Sequence, residues 1–201
     1  MSDQTNALPP SALMVQHPVA DFDRWKKGFD EHQSARQSAG MLGHHINRAE
    51  EDPNSQNIYF AVSDVDQAKG FTESPELKEV MQEVGVTGVP EFTWMTPVRE
   101  SIIWDRELPS MVVSHSVADF DAWLQGYDAA DRLRSDAGII GHAANRSLDD
   151  PSTVLVYHQA ESFEALKAFL ADPALQSAMK DAGVTSEPEV TFHTGGWAAM
   201  Y

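Results

Sequence analysis

The sequence predicts an α+β fold: two tandem β-α-β-β-α-β repeats packed sheet to sheet. Three observations carry this. First, one stretch occurs twice. His17-Pro-Val-Ala-Asp-Phe-Asp-Arg-Trp25 returns as His115-Ser-Val-Ala-Asp-Phe-Asp-Ala-Trp123. The offset of 98 residues holds without a gap from Val15/Val113 to Thr96/Thr194, and 32 of 83 pairs are identical over residues 14–96 against 112–194. Second, strand-like and helix-like apolar patterns alternate in the same order in both copies. Third, the strands are apolar on both parities, as in Ile58, Phe60 and Val62 against Tyr59 and Ala61, so each sheet needs cover on both faces. The chain divides into repeats at 12–98 and 111–201, joined by residues 99–110.

The elements follow in order. Residues 1–11 are polar and end in Pro9-Pro10, which predicts a mobile tail. Ala12 to Gln16 is a short apolar run and reads as a strand. Asp21 is placed to cap a helix through its carboxylate. Phe22, Trp25 and Phe29 then share one helical face, as do Phe120, Trp123 and Tyr127. Gly40 and Gly138 end this helix as C-cap glycines. Met41 to Arg48 and Ile139 to Arg146 are second strands. Asp52-Pro53 and Asp150-Pro151 are turns, and Asn57 to Val62 and Val154 to Gln159 return as third strands of an antiparallel hairpin. A two-piece helical region opens at Asp64 or Ser162. Its second piece starts at Ser74-Pro75 or Asp172-Pro173, a capping residue followed by proline at the first helical position. Gly85 and Gly183 close it, and Glu91 to Thr96 or Glu189 to Thr194 form the last strand. This order is the ferredoxin-like unit, with helices on one face of a four-stranded sheet. The bare faces of the two sheets can cover each other. Residues 99–110, with Ile102, Ile103 and Trp104, are too apolar for a free linker and are expected to pack, as is the segment Trp197 to Tyr201.

Composition excludes several roles. Thirty-one acidic residues against 14 basic ones give a formal charge of -17, which disfavours nucleic acid and anionic membranes. Without cysteine there is neither a disulfide framework nor thiolate chemistry. No apolar run approaches the ~20 residues of a membrane span. The first residues lack the basic and apolar regions of a signal peptide, so a cytoplasmic protein is expected.

The pattern resembles the dimeric α+β barrel superfamily, and within it the antibiotic biosynthesis monooxygenase-like proteins. The resemblance rests on His-x-Val-x-Asp-Phe-Asp-x-Trp after a strand, on Arg36/Arg134 and Gly40/Gly138, and on Phe71, Ser74-Pro-Glu-Leu-Lys78, Met81 and Gly85-Val-Thr-Gly-Val-Pro-Glu91. It implies a pseudo-dimeric barrel made by one chain, as a monomer or as a homodimer of such chains. It also implies a small-molecule enzyme, a cofactor-free monooxygenase or a polyketide cyclase, acting on an aromatic or polyketide-like ligand. A non-catalytic binding or scaffold protein of the same fold is the alternative. A haem-degrading role would need an Asn-Trp-His set that is not evident here.

The acid–base candidates are the eight histidines, because imidazole titrates near neutrality. His17 and His115 recur in both copies and either fix a turn or edge a pocket. His44 and His142 lie on strands with Arg48 and Arg146 four residues on, hence on one face, where a cation beside an imidazole could hold a phenolate or enolate. His45, His158 and His193 face Ala143, Phe60 and Met95 in the other copy, so they depart from the repeat. The second half is therefore expected to hold the more polar cavity, with His142, His158, His193 and Tyr157 catalytic, and with His44, Arg48, Arg146, Tyr59 and His115 binding substrate. A histidine would take a proton while Arg and Tyr stabilise the oxyanion. The histidines lack a tight ligand spacing such as HExxH, so no metal is expected.

Overall fold

A computed structural model describes residues 8–201. The predicted tail therefore lies mostly outside the described residues. The first repeat comprises β1 (Ser11–Pro18), α1 (Phe22–Glu31), α2 (Gln33–Ser38), β2 (Met41–Ala49), β3 (Ser55–Val62), α3 (Val65–Thr72), α4 (Pro75–Glu83) and β4 (Glu91–Ser101). The second comprises β5 (Leu108–Ser116), α5 (Phe120–Ala129), α6 (Asp131–Asp136), β6 (Ile139–Ser147), β7 (Thr153–Ala160), α7 (Phe163–Ala171), α8 (Pro173–Asp181) and β8 (Glu189–Met200).

The helix boundaries follow the predicted caps. Asp21 Oδ1 accepts from the Arg24 amide at 2.8 Å, and Asp119 Oδ1 from the Ala122 amide at 2.7 Å. Ser74 and Asp172 accept amides of the helices that begin with Pro75 and Pro173. The first predicted helix of each repeat is broken in two, at His32 in the first and at Ala130 in the second. Gly40 and Gly138 both take φ +80°, a conformation in which any Cβ is strained. A Cβ on Gly138 would meet nothing within 4 Å, whereas one on Gly40 would meet Ser63 Oγ at 3.0 Å. Gly138→Ala is thus expected to cost about 1 kcal/mol from backbone strain alone, and Gly40→Ala more. Urea midpoints of the two variants test the order.

The eight strands form one closed antiparallel barrel in the order β1-β3-β2-β8-β5-β7-β6-β4, and β4 returns to β1. The two sheets do not merely stack; two long strands join them. β4 pairs with β1 over Glu91–Met95 and with β6 of the other repeat over Met95–Ser101. β8 likewise pairs with β5 and then with β2. Residues 99–101 and 197–200 therefore prolong β4 and β8 rather than adding strands. Pro97, which has no N–H to give to the ladder, sits at the bulge where β4 shifts register. Closing the ring removes the open edges that a four-stranded sheet would expose.

The pleat sends alternate side chains outward under the helices and inward to the barrel. Leu13, Val15, Ile58 and Phe60 pack outward with Trp25 and Phe22. Met111 and Val113 pack outward in the second repeat, against α7 and α8. Ala12, Met14, Met95 and Leu155 pack in the barrel.

Candidate active site and its neighbours

The first repeat has a cavity of about 70 Å³ between sheet and helices, lined by Leu13, Trp25, Phe29, Phe60 and Phe92, with His17 and Arg36 at its polar end. The matching cavity of the second repeat, about 60 Å³, is lined by Met111, Trp123, Val156 and Phe169 together with His115, Tyr127, Arg134 and His158. Two exchanges separate them. Tyr127 stands where the first repeat has Phe29, and His158 where it has Phe60.

Beside each cavity a guanidinium, a phenol and an imidazole meet, but the phenols come from unrelated places, and only that of the second repeat lines its cavity. In the second repeat, the Tyr127 hydroxyl lies 2.7 Å from His142 Nδ1, and the Arg134 guanidinium sits 4.1 Å above the Tyr127 ring. Arg134 also donates to the Tyr127 carbonyl at 2.7 Å. In the first repeat, Arg36 lies 3.6 Å above the Phe29 ring. Its Nε donates at 2.6 Å to the hydroxyl of Tyr201, which lies beyond β8 and also meets His44 Nδ1 at 2.8 Å.

Burial sets the protonation states. Desolvation lowers the pKa of His17, His44 and His115 to about 4 and that of His158 to about 3. The Arg36 charge lowers His44 further, and the Arg134 charge lowers His158. Desolvation also lowers His142 and raises the Tyr127 phenol. At neutral pH, therefore, the imidazoles are uncharged and the phenol is protonated. Tyr127 then donates to His142 Nδ1, which leaves the ring proton on Nε2, 3.8 Å from Asp131. Several buried polar atoms of this cavity have no protein partner: both ring nitrogens of His115, His158 Nδ1 and Arg134 Nε. Such atoms are costly unless something meets them.

The predicted site residues divide between two faces of the barrel wall. His142 and His158 are register partners on β6 and β7 and lie on the helix side with His115. Tyr157, next to His158, points into the barrel, as do Tyr59 and His193. The four residues predicted as catalytic thus do not share one cavity. His44 faces the helices of the first repeat. Arg48 and Arg146 are not beside the imidazoles. Each lies over a phenylalanine, Phe22 at 3.8 Å or Phe120 at 4.3 Å, and donates to a turn carbonyl, Pro53 at 2.8 Å or Pro151 at 2.7 Å. Neither lines a cavity of its repeat. The cations beside the imidazoles are Arg36 and Arg134. The sequence shows both only as repeated positions, with no site role, and shows Tyr127 only as part of one helical face. The signal was there in the phenol that replaces Phe29.

Among the described residues, no three His, Asp or Glu side chains gather as metal ligands, and no helix is long and apolar enough to cross a membrane. A porphyrin does not fit 60 Å³, far below the roughly 300–1,000 Å³ of sites for large organic ligands.

No protein-family model matches the chain, and no curated protein matches it in sequence. Solved structures do match. A provisionally assigned monooxygenase of Lactobacillus acidophilus NCFM aligns over 96% of each chain at 13% identity and a TM-score of 0.64. An anthrone oxidase-like protein aligns over 94% of this chain and 92% of its own at 13% identity and a TM-score of 0.68. LmHde, a heme-degrading enzyme from Listeria monocytogenes, aligns over 91% of this chain and 98% of its own at 8% identity and a TM-score of 0.51. At such identities the likeness establishes architecture alone. The chain has the dimeric α+β barrel fold, with both halves of the barrel, duplicated in tandem, in one polypeptide.

Proposed function

We propose that the protein is a monooxygenase-like enzyme acting on a small phenolic or similarly activated aromatic compound in the second repeat's cavity, with dioxygen as co-substrate and no organic cofactor. One observation carries this reading. The two cavities share a plan, yet Tyr127 and His158 replace phenylalanines on the wall of one of them alone. A buried imidazole without a partner is costly in a structural role, and a reactive role gives it a purpose. Cavity size decides between substrates. About 60 Å³ suits one ring better than a polycyclic polyketide. Larger ligands would have to lift α8, which has no fully buried residue.

The His158 imidazole takes a proton from the activated C–H or O–H of the substrate. Its low basicity is offset as the anion forms beside the new imidazolium and the Arg134 charge. Tyr127 and His142 position that guanidinium and its ring platform. The carbanion adds to dioxygen, the hydroperoxide takes the proton back, and loss of water from a CH–OOH carbon leaves a carbonyl. Tyr157 and His193 face the barrel and are not used.

Oxygen uptake with a panel of phenols, hydroquinones and anthrone tests the reading. Consumption of one oxygen per quinone formed is expected. His158→Gln should lower kcat/KM by about a hundredfold, the lower range for a lost acid–base group. A panel that binds but is never consumed would favour the second reading, a non-catalytic binding or scaffold protein. The largely apolar cavity of the first repeat supports that second reading.

A further inference from the structure

The interior of the barrel holds a third cavity, of about 40 Å³, lined by His45, Asn47, Asn57, Tyr59, Asn145 and Tyr157 among Met14, Met95, Ile102 and Trp104. The reaction proposed above does not use it. The repeat makes its chemistry legible. Tyr157 of the second repeat donates to Asn47 Oδ1 of the first at 3.0 Å. Pseudo-twofold symmetry calls for the mate of this bond, from Tyr59 to Asn145. It is not made: the buried Tyr59 hydroxyl and Asn145 Oδ1 both lack a partner, and the cavity opens between their strands.

Two further groups are free there. Asn47 Oδ1 accepts from Tyr157, so its NH2 faces His45 Nδ1, 3.2 Å away. His45 is then the Nε2–H tautomer, and that N–H has no partner. Asn57 Nδ2 is also unpartnered. His45, Asn57 and Asn145 are 2%, 3% and 5% exposed. The cavity thus offers three unused donors, Tyr59 O–H, His45 N–H and Asn57 N–H, and one unused acceptor on Asn145. No cation lines it, and burial, reinforced by the Glu100 carboxylate, keeps the Tyr59 phenol protonated, so an anion is disfavoured.

From this juxtaposition we infer that the barrel interior is a second binding site, for a small uncharged molecule of the amide or urea class. Its carbonyl oxygen accepts from Tyr59, His45 and Asn57, and its N–H donates to Asn145. The segment after β4 lines the cavity through Ile102 and Trp104. Trp104, 37% exposed, packs edge-on against the His45 ring at 5.3 Å. Only about four heavy atoms fit, and at up to about 1.5 kcal/mol per atom millimolar affinity is within reach.

Acetamide, with acetone as the near-isosteric probe that cannot donate, tests the site by ligand-observed NMR and by crystals soaked in each. Acetamide is expected to bind in the low millimolar range, at least fivefold tighter than acetone. Tyr59→Phe should weaken acetamide at least fivefold. That variant removes a hydroxyl bonded to no protein group, so it should fold, and an unchanged thermal midpoint checks this. Asn145→Leu, which copies the packing of an apolar strand position, is the second variant and should abolish the preference over acetone. Equal binding of the two probes, indifference to Tyr59→Phe, or crystals holding only ordered water between Tyr59 and Asn145 would overturn the inference.

Discussion

Acidification from pH 7 to pH 5 is expected to lower the thermal midpoint by about 10 °C or more, in a range where most acidic proteins change little. The cause is the set of buried imidazoles. His17, His44, His45, His115 and His193 are held at about 4 and His158 at about 3, in every case chiefly by desolvation. In the unfolded chain each would titrate near 6.5. The sign follows. Between about 4 and 6.5 the unfolded state binds more protons, so stability rises with pH. It is full above 6.5 and falls as pH drops toward 4. At pH 5 each such group costs about 2 kcal/mol by linkage. Even at a third of that, six groups remove about 4 kcal/mol from a typical total of about 5–15 kcal/mol. The charge of -17 works the other way, since protonating carboxylates relieves self-repulsion. Carboxylates as a class titrate mostly below pH 5, so the histidines win above it. Circular-dichroism melts at pH 7.5, 6.5, 5.5 and 5.0 check this. A flat midpoint would mean the rings find partners on protonation.

The second large effect is an exchange between the repeats. Phe60→His is expected to destabilise by about 2–4 kcal/mol, from lost apolar burial and an imidazole without a partner. Phe60 is buried beside Phe29, with centroids 6.1 Å apart. His158→Phe is expected to stabilise by about 1 kcal/mol, because it deletes an unpartnered nitrogen. The neighbouring cavity gives the larger ring room, and Phe169 already meets His158 edge-on at 5.3 Å. Urea titrations of both variants measure the difference. The same His158→Phe protein should lose turnover, so stability and activity move in opposite directions, as expected where a reactive site departs from good packing. If His158→Phe instead loses more than 1 kcal/mol, the imidazole is bonded in place and its role is structural.

Much of this architecture was readable from residues alone, for definite reasons. The repeat with Asp21, Asp119, Ser74-Pro75 and the φ-positive glycines uses local chemistry, and local chemistry survives in any context. Strand parity puts His44 on one face with Arg48, and it also shows that His158 and Tyr157 must part. What escaped was long-range. Nothing near Tyr201 in sequence says that its hydroxyl lies between Arg36 and His44, 165 and 157 residues away. Nor does a four-residue spacing reveal that Arg48 overshoots its imidazole and rests on Phe22. The switch of β4 and β8 between partners was hidden for the same reason: strand length is local, but the neighbour of its second half is not.

Joining the two halves of the ring in one polypeptide changes what inheritance can do. In an assembly of identical subunits every substitution is made twice, so a costly imidazole admitted to one cavity burdens the other as well. Here Phe60 stands in one repeat and His158 at the matching position of the other, and Met95 and His193 differ in the same way. One wall can remain conservative while its twin explores new chemistry at half the structural risk.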